Sequence, residues 1–136
     1  MKKVLITGAS GFIGSFLVEE ALNRNLEVYA GIRSTSSKEY LTDSRIKFIE
    51  LDFSDIDSLK NTLSKYPAFD YIIHNAGTTK AYKKEDYLTG NFNYTRNFIE
   101  ALISVKKVPA KFVYISSLAA YGPGDATKLN LSLIHI

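Results

Sequence analysis

The chain has no cysteine, which excludes disulfides and thiolate metal sites and fits a reducing compartment. Its two histidines, His74 and His135, have no carboxylate or cysteine at ligand spacing, so no metal site is expected. No apolar stretch approaches the length that crosses a bilayer. Lys2 and Lys3 precede an apolar run that stops at Thr7-Gly8, too short for the core of a signal peptide. Blocks of one charge are missing as well. The net charge of +3 is spread along the chain, and the densest basic stretch, Lys80, Lys83 and Lys84, is broken by Glu85 and Asp86. Such a stretch reads as a solvated surface and not as a nucleic-acid footprint. The expectation is a cytoplasmic protein with neither membrane nor nucleic acid as partner.

What remains is enough for one core. At 136 residues and 46% hydrophobic, the chain suits a single domain. Apolar runs alternate with helical periodicity. Strands are expected at 3–7, 28–32, 46–51, 71–74 and 112–115. Ile13, Phe16, Leu17 and Ala21 recur at helical spacing over 12–22, and Asn23 to Asn25 end that helix. Ser54 is the expected cap of a second helix, with Asp57 as its partner and Ile56, Leu59 and Leu63 as its stripe. A long helix is expected over 91–106, with Phe92, Thr95, Phe98, Ile99, Leu102 and Ile103 on one side. Strands this apolar, separated by helices, imply an α/β fold: a doubly wound parallel Rossmann sheet of order 3-2-1-4-5. Its ligand crevice lies at the carboxyl ends of strands one and four.

Thr7-Gly8-Ala9-Ser10-Gly11-Phe12-Ile13-Gly14 stands between the first strand and the first helix. In that setting glycines let the backbone turn tightly and approach a pyrophosphate, whose charge the helix start holds. A nicotinamide dinucleotide is therefore the expected ligand. The end of the second strand bears on which one. Enzymes that use NAD usually place an acidic residue there to hold the ribose hydroxyls. This chain has Arg33 followed by Ser34. A guanidinium suits a 2′-phosphate, so NADP is favoured over NAD. The alternative is an Arg33 that is solvated, or that stacks on adenine without discriminating.

Four motifs occur in order: Thr7-Gly8-x-x-Gly11-x-x-Gly14, Leu51-Asp52-Phe53, His74-Asn75-Ala76-Gly77, and Ser116-Ser117-Leu118-Ala119-Ala120-Tyr121-Gly122. Together they resemble the extended short-chain dehydrogenase/reductase family, in particular its NAD-dependent epimerase/dehydratase group. The resemblance runs to about Gly124. It implies that Gly8, Gly11 and Gly14 hold the pyrophosphate, with backbone contacts from Phe12 and Ile13. Asp52 would bond the adenine amino group, and Phe53 would offer its backbone N–H. Ala76 and Gly77 would wall the ribose and nicotinamide side. Ser117 would be the catalytic residue in this chain, bonding the reacting hydroxyl or carbonyl of a nucleotide-sugar or other small substrate. Two plainer readings stand beside these: Asp52 as a turn carboxylate, and Ser117 as a strand-exit hydroxyl. His74 is read as a packed or hydrogen-bonded residue and not as a catalyst. The resemblance also implies a homodimer paired through the 91–106 helix, and a non-catalytic NADP-binding regulator is the alternative to an enzyme.

The family's Tyr-x-x-x-Lys pair is absent, because none of the nine tyrosines is followed by a lysine four residues later. The closing residues Leu131-Ser132-Leu133-Ile134-His135-Ile136 are unrelated to the family's continuation. They resemble one translated frame of a transposon end used in preparing DNA sequencing libraries. The expectation is a truncated N-terminal fragment, inactive alone, with a partial dinucleotide-binding domain over 1–125 and a non-native tail over 126–136. A natural short strand is the alternative for the tail.

Overall fold

A computed structural model describes residues 1–117. The period of two in a pleated strand decides the layers. In β1 (Lys3–Thr7), Val4 and Ile6 join the core on one face, and Leu5 joins the core on the other. β1 pairs in parallel with β2 (Glu27–Ile32) and with β4 (Tyr71–His74). β3 (Lys47–Glu50) lies outside β2, and β5 (Lys111–Tyr114) lies outside β4. The sheet order is 3-2-1-4-5, as the alternation of strands and helices predicts.

One face carries α1 (Phe12–Asn23), which buries Val18, Ala21 and Leu22 against Val4, Ile6, Val28 and Ala30. The connection from β2 to β3 has no helix. Leu41 and Ile46 from that connection fill the same core. The other face carries α2 (Ile56–Lys65) and α4 (Tyr94–Ser104), whose Leu59, Leu63, Phe98 and Leu102 cover Leu5, Ile49 and Ile72. Asn25 ends α1 at φ 55°, a left-handed conformation that asparagine tolerates better than most residues.

Three local expectations change. Asp55, not Ser54, caps α2, accepting from the Asp57 and Ser58 N–H groups. The Ser54 hydroxyl instead donates to Asp52. The long helix begins earlier than its apolar stripe does: α3 (Lys84–Leu88) runs through a π-helical turn, Thr89–Asn93, into α4. Glu85 and Asp86 occupy the first turn of α3, where carboxylates favour a helix start. The stripe also divides. Phe98 and Leu102 are buried, whereas Phe92, Ile99 and Ile103 lie on the outer flank, 56%, 40% and 59% exposed. Among the described residues, no helix is long and apolar enough to cross a membrane.

Candidate functional site

The carboxyl ends of β1, β2 and β4, with the residues after β3, open into one cleft of about 920 Å³. Its floor is the β1–α1 turn. Gly8 has φ +64°, and a side chain there would strike the backbone of Ala76 at 2.8 Å. Gly14 is buried under the turn, where a Cβ would lie 2.1 Å from the Gly8 carbonyl oxygen. Gly11 stands at the first position before α1 and offers no side-chain bond to it, so the first-turn N–H groups of the helix keep their capacity for a ligand. Gly11, Phe12 and Ile13 line the cleft there. A turn that glycines alone permit, under an uncapped helix start, fits a pyrophosphate.

The walls come from three other strand ends. Arg33 and Ser34 stand at the end of β2, Asp52 and Phe53 follow β3, and Ala76 and Gly77 follow β4. Thus Gly8, Gly11, Phe12, Ile13, Arg33, Asp52, Phe53, Ala76 and Gly77 all border one space, with Gly14 beneath it. Ser117 is exposed beyond β5 and does not line that cleft. The stretch from Leu118 to Gly122 lies outside the described residues. Asp52 is exposed, and its Oδ1 accepts from the Ser54 N–H at 3.0 Å, so it serves the turn while facing the cleft. Among the described residues, no group of His, Asp and Glu is placed to hold a metal.

Sequence reasoning missed how the β4 end is held. His74 is 1% exposed, with Nδ1 2.8 Å from the Thr7 hydroxyl and Nε2 3.0 Å from the Thr95 hydroxyl. Burial pushes its imidazole down to about 4. Asn91 in the π-helical turn clasps Thr78, accepting from its N–H at 2.7 Å and donating to its carbonyl at 3.0 Å. The sequence carried a signal for this in Thr95, a hydroxyl set within an otherwise apolar stripe.

The profile of the NAD dependent epimerase/dehydratase family matches residues 4–133. The chain belongs to that family. The match extends through most of the 126–136 stretch that was expected to be foreign. Among its relatives, a UDP-N-acetyl-alpha-D-glucosaminuronate decarboxylase of Bacillus cytotoxicus is 32% identical over 133 residues, covering 90% of this chain and 39% of that protein. The UDP-Glc/GlcNAc 4-epimerase of Campylobacter jejuni superposes with a TM-score of 0.78 at 29% identity, covering 90% of this chain and 39% of that one. The Bordetella bronchiseptica enzyme WbmH, solved in complex with NAD+, gives 0.75 at 26% identity, covering 93% and 43%. The chain therefore spans about two fifths of the length of these epimerase/dehydratase relatives.

These findings overturn the expectation that Arg33 selects NADP. The epimerase/dehydratase family is NAD-dependent, and WbmH was solved with NAD+. The cleft gives the physical reason. Arg33 is exposed, and the carboxylates Glu50 and Asp52 line the same space, where no second cation stands among the described residues. A doubly charged 2′-phosphate would meet more negative than positive charge.

Proposed function

We propose that this chain binds NAD as the cofactor-holding part of an epimerase- or dehydratase-type enzyme whose substrate is a nucleotide-sugar or a similar small carbonyl or hydroxyl compound. The observation that carries the reading is the Gly8–Gly14 turn beneath the uncapped start of α1, on the floor of a cleft of about 920 Å³. Gly8, Gly11 and Gly14 let the backbone approach the pyrophosphate, and the Phe12 and Ile13 N–H groups bind its oxygens. Asp52 bonds the adenine amino group and Phe53 offers its N–H. Ala76 and Gly77 keep the ribose and nicotinamide side closely walled.

The nicotinamide ring supplies hydride transfer when it is bound. Ser117, past the carboxyl end of β5, orients the reacting hydroxyl or carbonyl. Proton transfer in this reaction class needs a positioned acid–base group. With no Tyr-x-x-x-Lys pair in the sequence, the 136-residue chain binds the dinucleotide without turning over substrate. Titration calorimetry of the chain with NAD tests the reading. Saturable one-to-one binding is expected, and Gly8→Val should abolish it. A parent chain that binds no NAD, or a Gly8→Val variant that binds it equally well, would refute the reading.

A further inference from the structure

The buried polar chain at the cleft wall restricts where its protons can lie. The Thr95 hydroxyl donates to the Asn91 carbonyl at 2.9 Å, one helical turn back. It can therefore only accept at His74, whose Nε2 must carry a proton. On the other side, the Thr7 hydroxyl oxygen accepts the Ala76 N–H at 3.2 Å and lies 2.8 Å from His74 Nδ1, to which it can donate its own proton. In the neutral ring, Nδ1 is the acceptor of that proton. Burial against the rings of Phe53, Phe98, Phe112 and Tyr114 favours that neutral form.

We infer that His74 is a positioning residue of the cleft: its neutral ring, protonated on Nε2, joins the end of β1 to α4 and thereby fixes the backbone of Ala76 and Thr78 on the cleft wall. The link to Ala76 runs through Thr7, and the link to Thr78 runs through Thr95 and the Asn91 clasp. His74 touches neither ligand-facing backbone directly. It closes both branches at once, which an apolar side chain of the same volume cannot do. The inference deepens the proposed function and rests on the reading of this cleft as the NAD site.

The test uses the full chain, ¹⁵N-labelled, with NAD as the probe. The His74 ring nitrogens should show the Nε2–H tautomer at pH 7. In His74→Phe, the Ala76 and Thr78 amides should exchange at least tenfold faster than in the parent, while the Leu59 amide in α2 stays unchanged. NAD affinity should fall at least tenfold. His74→Asn places an amide near the Nδ1 position and should restore protection at Ala76 alone. His74→Gln reaches the Nε2 position and should restore it at Thr78 alone. This crossed rescue separates positioning from bulk packing, and the Asn and Gln pair decides the matter even where the Phe variant does not fold. An Nδ1–H or charged ring, or unchanged Ala76 and Thr78 exchange in the variants, overturns the inference. Absence of NAD binding by the parent overturns the proposed function instead, and tautomer and exchange then decide the role of His74 by themselves.

Discussion

Gly14 lies directly beneath Gly8, so that a Cβ on Gly14 would stand 2.1 Å from the Gly8 carbonyl oxygen. The obstacle is backbone and cannot swing aside. Gly14→Ala must therefore open the turn that the cleft is built on. Overpacking of this kind costs about 1–3 kcal/mol, and urea denaturation should show it together with at least a tenfold loss of NAD affinity. Gly11 differs, because its added Cβ would meet Gly8 at an ordinary 3.4 Å. Gly11→Ala should cost less than about 1 kcal/mol, the scale of an altered helix cap, and should weaken NAD binding by crowding the pyrophosphate. Equal stability losses in the two variants would contradict the geometry.

The parallel order of the sheet was legible because Val4, Leu5, Ile6, Val28 and Ile72 are apolar on both faces, which only a sheet covered on both sides tolerates. The glycine turn was legible because its constraint is local: the spacing of Gly8, Gly11 and Gly14 sets the backbone path. The surroundings of Arg33 were not, since Glu50 and Asp52, which share its cleft, are brought in by the fold from the end of β3. The cap of α2 was misplaced for a related reason. Ser54 and Asp55 both suit a helix start, and the choice falls to Asp55 because Asp52 engages Ser54 first. The union of Thr7, His74 and Thr95 joins residues 67 and 21 positions apart, a relation that no periodicity reveals.

Lys107 holds the far end of the molecule. Its Nζ donates to the carbonyls of Leu63, Ser64 and Tyr66 at the end of α2, at 2.7, 3.0 and 2.5 Å. Carbonyls at a helix terminus lack full intrahelical pairing, although that of Leu63 also accepts the Tyr66 N–H at 3.3 Å, and a cation suits the negative end of the helix dipole. Lys107→Met keeps most of the stem and removes the charge. It should cost about 1.5–3 kcal/mol, the range for hydrogen bonds to charged groups. NAD affinity should stay within twofold, because α2 ends away from the glycine turn. Chemical denaturation and calorimetry on the same sample check both halves, and a large affinity loss would couple the two ends unexpectedly.

With Glu50 and Asp52 facing the space beside Arg33, NAD should bind at least tenfold tighter than NADP. Arg33→Ala should change both affinities by less than about fivefold and by similar factors, as an exposed charge acts weakly through solvent. Side-by-side titrations of the parent and the variant decide it. A loss confined to NADP would reinstate the guanidinium as a phosphate ligand.

His74 gives stability a definite dependence on pH. Its ordinary value of 6.5 is pushed down to about 4 by burial, so between those values the unfolded chain binds a proton that the folded chain refuses. The contribution is complete above pH 6.5, falls as the pH drops toward 4, and changes no further below that. A shift of this size corresponds to about 3 kcal/mol at most. The paired carboxylates act lower on the scale: Lys47 and Tyr29 hold Glu27 below its ordinary 4.5, and Lys2 and the Lys3 N–H hold Asp70 below 3.8. Arg45 brings Asp43 down to about 2. Depressed carboxylates lose their stabilising effect only as the pH falls below those ordinary values, so the window from 5 to 6.5 belongs to His74 among the described residues. Urea denaturation at half-unit steps should show stability falling through that window in the parent. His74→Gln should flatten the curve there, while Asp43→Asn should leave it unchanged. A parent whose stability is level from pH 6.5 to 5 would mean that the ring takes up its proton in the folded state.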